Sequence, residues 1–583
     1  MNITITKRDE ELFIDYEDCL KHTFNNFTIV GDFVGCFHND KPFCLDTDSE
    51  HISNLSINEI LNTAFGKFII VESKSDQITI HTSKSMNTMY YTDLKDGVLV
   101  TTDEKRINIS VDEQSINYFE IELQLKYFYR SPFSTFVDEV KQLPLACSMS
   151  IDNDTNQMLL TSWLLNRHED NIHVDKSFDQ LQKFARVVKR SNRNVVLYLS
   201  GGIDSSLILA ELLNENVTVK CIVMALKFRN KVTISPEIAD SFAIAHQLNV
   251  DNSIEYRDLK DPHIHFQGEQ TGWKWGYPYF SESDKSEITD NNIYITGLGE
   301  AMYGVEHVDM KFFKIVRAII NPLKYLKNYV HILLERAQYS HFFNRAISSV
   351  GKHEIPDKYI NVLFGAVKLP PPRKNYRSEN FSFNETESTI AYRIKDFDLI
   401  LAPIKNKLIY FTSWLKYVKL YQYQAAAQYN YDRTLTLPYI DLVTDFVTHK
   451  MTLLEVIIPK RKAYKRFRHL TGKNYHSIIP SMFAKKQIAR KNILASPPEN
   501  MELDKLEPLH PNDYYLDNDM KNTFYSLFSE GMLKNAISNL NLKTHFEEVF
   551  KHYFSKIEYK HQPQEVVNIL RYEMFLRNIS DEQ

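Results

Sequence analysis

Leu199-Ser200-Gly201-Gly202-Ile203-Asp204-Ser205-Ser206 closes an apolar run, Val195 to Leu199, and opens a periodic stretch, Ser205 to Asn214. Read as strand, turn and helix, the string has the makings of an anion site. Glycine lets the backbone approach a phosphate without interference from a Cβ. The N–H groups of such a loop, together with the helix N-terminus behind it, attract negative charge. The three serines add hydroxyl donors. Asp204 only accepts hydrogen bonds, so beside a polyphosphate its natural task is to hold Mg²⁺. The string lacks the Lys-Ser/Thr ending of a Walker A loop and does not fit G-x-G-x-x-G. The bland alternative is an ordinary Gly-rich turn.

Working outward, Phe178 to Lys189 reads as a helix, Thr218 to Ala225 as a strand, Pro236 to Leu248 as a helix and Ile293 to Thr296 as a strand. Ile238, Phe242 and Ala245 share one helical face, and Pro236 suits a first turn. Strands alternating with helices predict a parallel, doubly wound sheet. Upstream the pattern differs. Phe68 to Glu72, Gln77 to His81 and Gly97 to Thr102 are short β-branched or alternating runs separated by polar turns, which predicts an antiparallel, strand-rich region. Beyond about residue 310 the text reads as mostly helical. A loop is expected over Pro370 to Thr386 and a linker at Ser496 to Glu499. The domains expected are 1–165, then 170–583.

Composition sets the outer limits. At 583 residues the chain is too long for one core. It is 43% hydrophobic and 25% charged, which argues against disorder. A net charge of −5 calls for no nucleic-acid or membrane partner. The five cysteines are widely spaced with no C-x-x-C pair, which argues against a disulfide frame or a zinc site. A cytoplasmic location is expected: the first nine residues lack an apolar signal core. No apolar run reaches membrane-spanning length, and the richest, Val316 to Leu334, is interrupted by Arg317, Asn321, Lys324, Lys327 and Asn328.

The string SGGIDSS resembles the pyrophosphate loop of the asparagine synthetase superfamily, whose members split ATP between its α and β phosphates and pass through an acyl-adenylate. Other stretches resemble that family in the same order: Gly66-Lys67-Phe68, Met89-Tyr90-Tyr91, Val98 to Asp103, and Phe133 to Ser150 with Leu143-Pro144. The fold implied is an α+β, antiparallel β-rich N-terminal domain of the Ntn-type sandwich kind. An α/β doubly wound parallel-sheet PP-loop ATPase domain with a large helical region follows it.

The resemblance also implies site residues. Leu199, Ser200, Gly201, Gly202, Asp204, Ser205 and Ser206 would hold ATP. Met224 would pack on adenine, with plain core packing as its other reading. Ser235-Pro236-Glu237 is similar to a DE-containing segment of the family. Thr296 to Gly304 resembles the G-x-G-x-D motif, with Gly297 and Gly299 at the nucleotide and Glu300 where an Asp usually shares Mg²⁺ with the residue matched by Asp204. One residue is missing from that motif, and Glu300 could equally be a solvated loop carboxylate. Leu298 stands where asparagine synthetases carry Glu and β-lactam synthetases carry Tyr, which weakens both assignments. Arg433 to Asp441 resembles R-x-P-F-L-D. In the basic stretch Lys460 to Lys491, Lys485 and Lys486 are the candidates for the family's catalytic lysine, with the register open between them. A solvated basic face, or RNA binding, is the alternative reading of that stretch.

A working glutaminase domain of this family carries Cys directly after the initiator Met; Asn2 stands there, and Cys36 reads better as a buried thiol. The attacking amine is therefore expected from the substrate or from ammonia. Members without that cysteine include the lasso-peptide cyclases, and the C-terminal stretch Val566 to Leu576 resembles their last helix. The expectation is ATP- and Mg²⁺-dependent closure of an isopeptide macrolactam in a leader-cleaved precursor peptide. A leader peptidase and a precursor-recognition protein would be its partners, with no nucleic acid and no membrane. A small-molecule or ammonia-dependent synthetase, a silent scaffold of a peptide-maturation complex, and a nucleic-acid-modifying adenylating enzyme are the alternatives.

Overall fold

The computed structural model describes residues 2–8, 11–17, 20–85, 88–95, 97–103, 106–107, 115–118, 120–121, 133–163, 174–259, 291–297, 435–436, 461–499, 507–509, 513, 517, 519, 522 and 571–577. The chain is mixed α/β, with antiparallel sheets first and a mainly parallel mixed sheet after them.

The first part holds two antiparallel sheets. One orders Lys141–Leu143 (β10), Met89–Leu94 (β8), Gly97–Thr101 (β9), Asn2–Arg8 (β1) and Glu11–Glu17 (β2). The other orders Met158–Ser162 (β12), Cys147–Asp152 (β11), Gln77–Thr82 (β7), Phe65–Ser73 (β6), Phe27–His38 (β4) and Leu20–Thr23 (β3), with Lys41–Phe43 (β5) paired to β4. The strands expected at 68–72 and 77–81 fall within these, and the one expected at 97–102 ends one residue earlier, at Thr101. Two helices, Leu45–Ser53 (α1) and Ile57–Thr63 (α2), follow β5.

Helix Val174–Ser191 (α3) leads into the second part. There Asn194–Tyr198 (β13) pairs parallel with Val219–Phe228 (β14) on one side and Asn292–Thr296 (β17) on the other. Asn252–Asp258 (β16) extends the parallel order beyond β14, and Leu435–Thr436 (β18) extends it beyond β17. Lys231–Val232 (β15) runs antiparallel to the end of β14 and pairs with Glu507–Pro508 (β19). Helix Ile203–Asn214 (α4) follows β13, and Pro236–Leu248 (α5) has the bounds read from the sequence.

Ile203 to Leu212 are all buried, so α4 is a central helix, apolar nearly all round. Each of Leu207, Leu209 and Leu212 contributes about 2 kcal/mol by leaving water. Helices α3, α4 and α5 gather on one face of the parallel sheet, the face that carries Val195, Leu197, Cys221, Val223 and Ala225. A doubly wound sheet needs helices on the other face too, and no described helix packs there. That face still buries Val196, Tyr198, Ile222 and Tyr294.

The two parts share one core. Val34, Phe37, Cys44 and Phe65 of the antiparallel region belong to the same buried cluster as Leu181, Phe184 and Val187 of α3 and Leu207 of α4. Arg193, in the turn between α3 and β13, ties the same junction. Its guanidinium lies 2.8 Å from the Asp32 carboxylate of β4 and donates to the Asn292 carbonyl of β17 at 3.0 Å. Residues 571–577 are helical and mostly buried, with Tyr572 and Phe575 packed on Phe136. No helix among the described residues is long and apolar enough to cross a membrane.

Candidate functional site: the turn between β13 and α4

The expected loop sits at the C-terminal end of the middle strand. Leu199 is fully buried, and its N–H continues the ladder by donating to the Ile222 carbonyl at 2.8 Å. Gly201 then takes φ +73°, a left-handed conformation natural to glycine. A Cβ at Gly201 would meet Asp240 Cβ of α5 at 2.3 Å. Conformation and packing both require glycine there.

Gly202 is the N-cap of α4, in extended conformation, and no side chain caps the helix. The first amides of α4, which no side chain caps, thus form a donor set at the positive end of the helix dipole, with the exposed Gly202 at its edge. Ser200 and Gly202 are exposed, and the Gly202 N–H donates to Ser200 Oγ at 3.3 Å, a long bond. Ser205 and Ser206 donate their hydroxyls to the Gly202 carbonyl at 3.1 and 2.7 Å. These two serines therefore brace the turn from inside; they are buried and do not face outward as the sequence reading expected. Asp204, in the first turn of the helix, is also buried.

Gly297 lies against the same helix start. A Cβ there would stand 2.9 Å from Ser205 Cβ and 3.1 Å from the Ser205 backbone nitrogen. The fold thus brings together two glycines that are more than ninety residues apart in sequence. Leu298, Gly299 and Glu300 lie outside the described residues.

The basic segment also arrives at this turn. Helices Arg461–Thr471 (α6), Tyr475–Ile478 (α7) and Met482–Ala495 (α8) lean on α4 and α5. Arg466 meets the fully buried Glu211 carboxylate at 2.6 Å, and Tyr256 donates to the Ser496 carbonyl at 2.6 Å. Lys473 donates to the carbonyl of Gln247. Lys485 Nζ lies 2.5 Å from Asp240 Oδ2, directly behind Gly201. Burial pushes the Asp240 carboxyl up from its ordinary value, and the Lys485 bond only partly opposes this. Lys486 is exposed on the outer side of α8. The structure therefore separates the two candidates: Lys485 is at the turn and Lys486 is not.

Met224 is half-buried on β14, in register with Glu255 of β16. Glu255 belongs to a buried group that the sequence reading missed. It accepts from the Tyr198 hydroxyl at 2.9 Å and from Arg257 Nε at 2.5 Å, and the Arg257 guanidinium lies 5.4 Å from the Tyr198 ring centroid. The available signal was a Glu-x-Arg pair of opposite charge on one strand face, two residues apart.

The donor-rich helix start and the glycine cradle suit a phosphate chain. For Mg²⁺, Asp204 and the Lys485-bonded Asp240 are carboxylates at the turn, and no group of three or more His, Cys, Asp or Glu placed to hold a metal ion forms among the described residues. Thiol chemistry finds no support among the described cysteines. Cys36, Cys44, Cys147 and Cys221 are all buried, and burial pushes Cys36, Cys44 and Cys221 up to about 12. Such thiols stay protonated and unreactive.

Comparison of the chain with protein-family models gives no match, and comparison with curated proteins gives none either.

Proposed function

We propose that this chain binds ATP at the turn between β13 and α4, activates a carboxylate as its acyl-adenylate, and forms an amide bond with release of AMP and pyrophosphate. The observation that carries the proposal is the convergence at one point of Gly201, Gly202, Gly297, the uncapped start of α4 and Lys485. A carboxylate is a poor acyl donor because oxide is a poor leaving group, and adenylation replaces it with AMP. The α4 amides would bind phosphate oxygens. Lys485, exchanging Asp240 for the substrate, would offset charge that develops on the departing pyrophosphate. Mg²⁺ held at Asp204 would offset the charge of the triphosphate. On this reading the second part is a PP-loop ATPase domain, and the first part is a glutaminase-like domain without its nucleophile.

The finer reading is closure of a macrolactam: the N-terminal amine of a leader-cleaved peptide attacks an adenylated Asp or Glu side chain. Its support is the sequence resemblance of the loop and of the C-terminal stretch. Holding amine and adenylate together supplies the proximity advantage and keeps water from the adenylate.

The test resolves AMP plus pyrophosphate from ADP plus phosphate, with the purified chain and candidate precursor peptides. AMP formed only with peptide, alongside a product lighter by one water, supports the cyclase. AMP formed with small carboxylates or ammonia supports a small-molecule synthetase instead. No turnover, together with intact binding to maturation partners, would leave a scaffold and overturn the proposal.

A further inference from the structure

Tyr475 reaches the loop from outside the sheet. Its hydroxyl donates to the Gly201 carbonyl at 2.5 Å. The ring is held by Tyr464 at 5.2 Å between centroids and, edge-on, by Phe467 at 5.8 Å. Phe467 is fully buried within the main core. The hydroxyl is therefore fixed by packing and has little freedom to search for its partner. Burial, with the Tyr464 hydroxyl and the Asp240 and Asp204 carboxylates nearby, holds the phenol well above its ordinary range, so it remains a donor at any physiological pH.

The bond matters because of where the peptide plane goes next. A trans peptide is planar, and its C=O and N–H point in opposite directions. Fixing the Gly201 carbonyl toward Tyr475 therefore aims the Gly202 N–H the other way. That N–H now rests on the exposed Ser200 hydroxyl at 3.3 Å. Gly201 has φ +73° and no side chain to hold it, so without an external partner its peptide could turn over. The same segment braces the loop a second time: Lys485 holds Asp240, and Gly201 packs against Asp240.

We infer that the segment from Tyr475 to Lys485 is a strap that sets the shape of the phosphate-binding turn, and that Tyr475 is its positioning residue, aiming the Gly202 amide at an incoming phosphate. The inference rests on the nucleotide reading for its ligand, but the order it imposes on the loop is present without nucleotide. Within the loop, Tyr475 is bonded to backbone, through the Gly201 carbonyl.

Tyr475→Phe removes the hydroxyl and keeps the ring packing. Two measurements separate the outcomes. Hydrogen exchange of the nucleotide-free protein should show the amides of residues 201–206 exchanging about tenfold faster in Tyr475→Phe, with α5 unchanged. Mg-ATP affinity by calorimetry should fall about tenfold, with the thermal midpoint within a degree or two of wild type. Unchanged exchange at the loop would overturn the strap whatever the nucleotide result. Faster exchange with unchanged Mg-ATP affinity would overturn the role assigned to the Gly202 amide. Failure of the wild-type chain to bind Mg-ATP would sink the nucleotide reading and the ligand half of this inference with it, and the exchange data would still decide whether the strap exists.

Discussion

Lys485 Nζ lies 2.5 Å from Asp240 Oδ2, and Asp240 is the side chain against which Gly201 packs. The cation is thus held beside the turn, while its neighbour Lys486 faces solvent. Lys485→Met should reduce AMP formation by about a hundredfold or more, the scale expected for one charge that stabilises a transition state. Lys486→Met should stay within about twofold of wild type. Equal losses in both variants would show that the basic character of α8 matters and the Asp240 contact does not.

Gly201→Ala should abolish nucleotide binding. The left-handed backbone alone costs an alanine about 1–2 kcal/mol, and its Cβ would collide with Asp240 at 2.3 Å. Gly297→Ala pushes on Ser205 at 2.9 Å and should act more mildly, through the start of α4. Titration of Mg-ATP against both variants ranks them, and tighter binding by Gly201→Ala than by Gly297→Ala would contradict this geometry.

Arg466→Ala would leave Glu211, fully buried on α4, without its ion-pair partner. A buried charge stripped of its partner costs about 3 kcal/mol. The thermal midpoint should drop by several degrees, and Arg466→Ala with Glu211→Leu should recover much of the loss. If the double variant melts no higher than the single, the pair is not what couples α6 to α4.

His81 sets an acid limit. Burial lowers it to about 4, while Nδ1 is bonded to Ser148 Oγ at 2.7 Å. The unfolded chain titrates near 6.5, so above that pH the group has no effect. As pH falls from about 6.5 to about 4 the unfolded state takes up a proton that the folded state refuses. Stability is lost across that window, by about 3 kcal/mol at its lower end. His81→Gln, neutral throughout, should flatten the pH dependence of the urea midpoint between pH 6.5 and 4. A wild-type profile already flat there would refute the shift.

Local pattern made part of this site legible. Helix α5 had matching bounds in the sequence because Pro236 marks its start and its apolar residues share a face. The turn at 199–206 was legible because strand, glycine and helix follow one another directly. Two serines were misread. Ser205 and Ser206 look like outward donors in a string of letters, but helix geometry turns them inward onto the Gly202 carbonyl. Asp240, Tyr475 and the Glu255–Arg257 pair were not singled out, because their meaning comes from partners on other elements. The choice between Lys485 and Lys486 likewise needed the rotation of α8 about its axis, which no spacing rule supplies when both neighbours are lysine. The expectations at Gly299, Glu300 and most of the helical half lie outside the described residues.

The cluster joining Val34, Phe37 and Phe65 to Leu181, Phe184 and Leu207 has a consequence for where the chain could be cut. The antiparallel region forms one wall of the chamber that keeps α3 and α4 dry, so excising it would open the apolar side of α4, which carries the turn after β13, to water. The region is masonry for the helix it backs.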